Sequence, residues 1–255
     1  MRRVWIIARM SLLENSRKQV FHVLCLLMLA VIAGSTLLSI FTEGVQLKIL
    51  KDLCMTCVLF AGAVLSIALG ATGVPSDVEN RTIYPIIARP ITRAHYVAGK
   101  FVGTFLTVAM GLAALSVVFG VLIYCYQGRF DWFLPTAALF ALLEAAVIGA
   151  VATTLSTVAS PAVAALVSFM VYLFGTIKIG YFGGMLDRAT SGLVKYTGAA
   201  FYHLLPNLEC FNLKAALVHQ DAVPASYLAQ VAVYGLCYAA FALAVGSLMF
   251  SRREV

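Results

Sequence analysis

The sequence predicts an all-α polytopic membrane protein with six transmembrane helices, an N-terminal interfacial helix and a short cytoplasmic helix between spans two and three. Three observations carry this reading. Hydrophobic residues make up 62% of the 255 residues and charged ones 11%, against about 45–50% and about 25% in soluble domains. Charged side chains are absent from 19–42, 53–76, 101–128 and 222–251, runs of 24, 24, 28 and 30 residues, and a membrane helix needs roughly 20. A further run, 132–177, spans 46 residues with the single charge Glu144. As one helix it would extend ~69 Å, about twice the hydrocarbon core, so it must turn once.

Taken in order, residues 1–19 hold Arg2, Arg3, Arg9, Arg17 and Lys18, with Trp5, Ile6, Ile7, Met10, Leu12 and Leu13 at roughly helical intervals. That pattern describes an amphipathic helix lying along the membrane interface. A signal peptide fits less well, because the following apolar core is too long and lacks a convincing cleavage site. Spans are expected at 20–41, 53–74, 97–124, 132–155, 161–181 and 226–250. Within the long run the turn falls at Ser156, Thr157, Ser160 and Pro161, a polar cluster ended by proline. The whole chain, 1–255, reads as a single transmembrane domain without an internal repeat. Trp5, Tyr96, Tyr126, Trp132, Tyr181 and Tyr227 fall near span ends, as an aromatic belt requires.

Basic residues set the orientation. On alternate sides the Lys and Arg counts are eleven and six, with Lys178 at a span end. The positive-inside rule then puts both termini in the cytoplasm, consistent with six crossings. The net charge of +7 is thus read as a topology signal, and no nucleic-acid partner is expected. Membrane lipid is.

The segment 182–225 becomes an external loop with short helices, Asn207 capping one that presents Leu208, Phe211, Leu213 and Leu217 at the outer surface. His203, Glu209 and Cys210 lack metal-ligand spacing, so no metal site is assigned. Cys54 and Cys57 have redox spacing but open a lipid-depth helix, where they read as small packing residues.

The loop 75–96 differs from everything around it. Ser76 and Glu79 stand three apart, as in a capping box, so a short helix is expected from Asp77. Asp77 and Glu79 would occupy its first turn. Pro85 and Pro90 forbid one long regular helix. The result is a stiff, bent element of mixed charge.

In order, Glu79, Ile86, Ile87, Arg89, Pro90, Thr92, Arg93, Tyr96, Gly99 and Lys100 make this stretch resemble the loop between spans two and three of ABC type-2 export permeases. The specific motif covers about 25 residues; the interfacial helix, span count and long loop before the last span extend the likeness over most of the chain. Many members carry Gly-Thr where this chain has Arg81 and Thr82. The resemblance implies a permease subunit of an ABC transporter in the bacterial plasma (inner) membrane, exporting a substrate. Its partners would be two copies of a cytoplasmic ABC ATPase, which hold the ATP and Mg, and a second permease copy, identical or a sister chain. Residues 75–96 would form the coupling helix, with Glu79, Arg81, Arg89, Pro90, Arg93 and Lys100 as the ATPase-coupling set.

No phosphate-cradling loop is found in the chain, so no catalytic residues are assigned and no cofactor is expected on it. Glu144, near the middle of span four, carries two readings. It lines a translocation path, contacting a polar or cationic substrate, or it hydrogen-bonds a Ser, Thr or Tyr on a neighbouring span. A different class of function, an intramembrane enzyme or a non-transporting membrane assembly factor, would use Glu144 with a histidine. The scarcity of polar lining fits lipids, drugs or hydrophobic peptides as cargo.

Overall fold

A computed structural model describes residues 2–19, 46–79, 92–177 and 205–251, with isolated positions between 22 and 34. Its helices are α1 (Arg2–Ser16), α2 (Gln46–Glu79), α3 (Arg93–Gln127), α4 (Leu134–Ser156), α5 (Pro161–Ile177), α6 (Lys214–His219) and α7 (Ala225–Ser251), with a 3₁₀ turn at Glu209–Phe211 before α6. Four of them, α2 from Leu47, α3, α4 and α7, are long and apolar enough to cross a membrane, and α5 is a shorter apolar helix. The expected first span (20–41), the loop centre (80–91) and the stretch 178–204 lie outside the described residues.

Local chemistry explains the helix ends. Thr92, extended at φ −71° and ψ 148°, accepts the His95 N–H and starts α3 four residues before the expected 97. Gly128 closes the same helix in the left-handed region at φ 66°, its N–H bonded to Tyr124 O at 2.8 Å. Between α4 and α5 the chain turns where the polar cluster predicted. Ser156 and Thr157 donate their hydroxyls to Thr153 O and Thr154 O at 2.8 and 2.7 Å, satisfying carbonyls that a helix end leaves open. Pro161 then opens α5, where its missing N–H costs nothing.

One expected boundary is absent. Ser76 does not cap a new helix at Asp77, because α2 runs on through Pro75 to Glu79. A proline inside a helix gives up one hydrogen bond and crowds the carbonyl four residues back. Here tertiary contacts hold the final turn in place. Val74 and Val78 pack with Ile7, Tyr96, Val97 and Phe250, and Asp77 is buried.

Helix α4 is the hub and packs against α2, α3, α5 and α7. Its facing residues are small: a Cβ placed on Gly62 or Gly70 of α2 would lie 3.3 Å from Ala145 Cβ or 3.0 Å from Ala152 Cβ. Such pairs let backbones approach closely where no hydrophobic drive exists between helices in lipid. Helix α1 lies against the first turns of α3. Ile7, Ala8, Ser11 and Asn15 face inward, while Trp5, Ile6, Met10 and Leu13 stay exposed. The inward seat is made by Gly99 and Gly103, one helical turn apart: a Cβ on Gly103 would come within 2.5 Å of Ser11 Cβ and 2.8 Å of Ala8 O.

The segment 205–213 departs from the surface helix expected there. Leu208, Phe211, Leu213 and Leu217 are all buried in the main core cluster, and the 3₁₀ turn follows Leu208 with no side-chain cap from Asn207. Leu208 sits on Gly175 of α5 and Phe211 on Gly235 of α7, each 2.9 Å from where a Cβ would stand. The apolar side chains enter the bundle because two glycines leave the hollows. Tyr96, expected at the aromatic belt, is likewise buried, whereas Trp132, Tyr126 and Tyr227 are exposed at helix ends.

Substituting Gly103 with Val should destabilise the detergent-solubilised protein by about 1–3 kcal/mol through overpacking against α1. Gly73, with no atom within 4 Å of an added Cβ, should accept Ala with a change of no more than about 1 kcal/mol. Thermal unfolding of the two variants side by side checks both expectations.

Candidate functional site

At the end of the bundle that carries α1, the two helices flanking residues 80–91 are locked together by polar groups. Lys100, on the second turn of α3, is 5% exposed. Its ammonium lies 2.9 Å from the Asp77 carboxylate on α2 and 3.3 Å from Glu14 Oε2 on α1. Tyr96, one turn earlier, donates its hydroxyl to Asp77 Oδ2 at 2.5 Å. Three helices therefore meet on one buried ammonium. Beside it, Asn15 Nδ2 donates to Thr104 Oγ1 at 3.4 Å, extending the α1–α3 contact by another turn.

A second set ties the same corner to the far end of the chain. Arg93, the first residue of α3, donates from Nη1 to the carbonyls of Phe250 and Ser251 at 2.8 and 3.1 Å. Those carbonyls belong to the last turn of α7, which lacks intrahelical donors, and a cation there also favours the helix dipole. The guanidinium lies 5.7 Å from the Phe250 ring centroid, and that ring stacks on Tyr96 at 5.8 Å.

The sequence-derived coupling set thus divides. Arg93 and Lys100 point into the protein and brace the foot of the loop. Glu79, the last residue of α2, is exposed. Arg81, Arg89 and Pro90 lie outside the described residues. Glu14, Asp77 and Tyr96 belong to the site and were not assigned to it from sequence. Residues 93, 96, 100, 103, 104 and 107 recur at helical spacing, which would have revealed the stripe had α3 been started at Thr92 instead of 97.

Glu14 is partly exposed. Burial pushes its carboxyl up, but Lys100 and then Lys18 outweigh this and hold it below the ordinary 4.5. Its folded-state value is therefore depressed, so its contribution to stability is present above the unfolded value and lost as pH falls through the folded one.

The opposite end has its own ion pairs. Lys51, near the start of α2 and 1% exposed, meets Asp131 in the loop between α3 and α4. Lys214 bridges to Asp52 at 3.2 Å. Between the two ends stands Glu144, on α4, 4% exposed. The 3₁₀ turn that carries Glu209 packs against α4 and against α5, the helix of Tyr172. No described residue supplies the Glu144 carboxyl with a hydrogen bond or a cation, so the expected Ser, Thr or Tyr partner is not found among them. Cys210 donates its thiol to Asn207 O at 2.9 Å, and His203 lies outside the described residues.

Long apolar helices around a charged, braced loop foot define a polytopic membrane protein, with its polar apparatus concentrated at one end. The chain belongs to the ABC-2 family of transporter proteins, whose family model matches residues 5–255. It is accordingly a membrane permease subunit of an ABC transporter, and the family implies an ABC ATPase as partner. No curated protein matches the chain.

Replacing Lys100 with Met should cost about 3 kcal/mol, because Asp77 and Glu14 lose the ammonium they share. Adding Asp77→Asn should recover much of the loss, read by denaturation of both variants. Glu14→Gln should lower stability at neutral pH, and its deficit should vanish as pH drops well below 4.5; unfolding followed across pH tests the sign.

Proposed function

We propose that the chain is the permease half of an ABC exporter in a bacterial plasma membrane, with both termini cytoplasmic. It works as a dimer with a second permease copy and with two ATPase subunits, which bind the ATP and Mg. The observation that best supports coupling through the loop is the buried Asp77–Lys100–Glu14 network together with the Arg93 bonds to α7. Force applied to residues 80–91 by a partner would enter α2 and α3 at once, and through these contacts α1 and α7. A loop with a loose foot would absorb the displacement instead.

On this reading the coupling residues have two jobs. Glu79, Arg81, Arg89 and Pro90 present the docking surface, and Arg93 and Lys100 pass the motion on. Export follows from the resemblance of the loop motif to type-2 export permeases.

The two jobs separate experimentally. Glu79→Lys and Arg89→Glu should leave membrane insertion intact and weaken co-purification of a cognate ABC ATPase. Arg93→Lys, which loses the forked contact to two carbonyls, should keep the ATPase bound and lower transport-linked hydrolysis several-fold. Undiminished co-purification in both charge-reversal variants would count directly against docking through this loop.

A further inference from the structure

Among the described residues, the charged side chains that are buried are Lys51, Asp77, Lys100 and Glu144. The first pairs with Asp131 and the next two with each other. Glu144 alone has neither a cation nor a donor among the described residues. It stands ten residues into α4, ~15 Å from that helix end, which is near mid-membrane for an element of this length. An ionisable group at such depth costs roughly 2.5–3.5 kcal/mol, and nothing in the described bundle offsets it.

The 3₁₀ turn that carries Glu209 packs on both α4 and α5, the helices of Glu144 and Tyr172. The 205–213 turn enters the bundle on the Gly175 and Gly235 hollows, where Phe211 shares the space over Gly235 with Val147, three residues after Glu144. The Glu209 carboxylate receives one long bond, from Asn212 Nδ2 at 3.4 Å. In the same turn Asn207 Oδ1 is buried without a hydrogen-bond partner among the described residues. Tyr172 stacks obliquely on Phe169, and Phe211 stacks on Tyr234. Two carboxyls, an orphan carbonyl and several π faces suit a cation with N–H donors. An anion would be repelled, and a neutral lipid would leave Glu144 as it stands. A metal ion fits poorly, since no group of three or more metal-binding side chains occurs among the described residues.

We propose that Glu144, Glu209 and Tyr172 form the headgroup site for a protonated amine on an amphiphilic cargo, whose alkyl part lies along the apolar helix walls. This rests on the permease reading and names its substrate class. Glu209, half-buried at the rim, receives the amine first, and Glu144 holds it at depth.

The test uses the full chain in lipid nanodiscs, titrated with dodecylamine against empty discs. Wild type should bind it saturably, and dodecanol, the same tail without charge, should neither bind saturably nor compete. Glu144→Gln and Glu209→Gln should each weaken amine binding about tenfold or more, with size-exclusion profiles and thermal unfolding close to wild type. Wild-type affinity in both variants, or competition by dodecanol, overturns the site. ATPase co-purification separates the amine site from the permease reading. Failed amine binding with an intact ATPase complex sinks the site and leaves the permease, whereas a chain that recruits no ATPase sinks both.

Discussion

Charge buried in an apolar helix bundle has to be neutralised by a partner, and that constraint organises this protein. An unpaired ion in such surroundings is penalised by several kcal/mol, while a pair with good geometry roughly breaks even. Lys51 and Asp77 sit near opposite ends of α2, separated by about 39 Å of helix, somewhat more than a hydrocarbon core of roughly 30 Å. Each is matched from a different element: Asp131 at one end, Lys100 and Tyr96 at the other. The pairs add little net stability against an apolar core of equal volume. Their effect is on register, since each pair forms at only one position of α2 relative to α3.

The loop foot shows how a correctly read motif can be given the wrong geometry. Arg93, Tyr96, Gly99 and Lys100 stand out in the sequence, and their order carries the family resemblance. Read as part of a loop, they look like surface residues meeting a partner. Starting α3 at Thr92 turns them instead into one helical stripe. Tyr96 and Lys100 then reach Asp77, Gly99 makes room for Ile7, and Arg93 reaches the last carbonyls of α7. Pro90 biases its predecessor away from helix but says nothing about Thr92, three residues before His95. A Thr that can accept an N–H three residues on is the stronger start signal.

The membrane helices were legible because a charge-free run long enough to cross the hydrocarbon core fits little besides a span. The α4–α5 turn was legible because Ser156, Thr157, Ser160 and Pro161 fall together near the middle of that run. Two features escaped for a common reason: each depends on what another element does. Pro75 reads locally as a helix end, yet the final turn of α2 is held by Tyr96 and Lys100 from α3. Leu208 and Phe211 read locally as an apolar face at the surface, yet Gly175 and Gly235 on two other helices make hollows for them. A glycine in a membrane helix is a packing signal, but the pattern of its own helix does not name the partner that fills the hollow.

These placements give the bundle two unlike ends. At the α1 end, four helices are joined by buried ionic and cation-to-carbonyl bonds, each stronger than a neutral hydrogen bond. At the other end, Lys51–Asp131 and Lys214–Asp52 are ionic, and the bonds of the 205–213 turn include neutral ones: Leu208 N–H to Gly175 O at 3.1 Å, Asn207 N–H to Tyr234 Oη at 2.8 Å and Tyr227 Oη–H to Cys210 O at 3.1 Å. Under the coupling proposed above, displacing the braced end would move α2, α3 and α7 as a set, because ionic and cation-to-carbonyl bonds tie them to one another there.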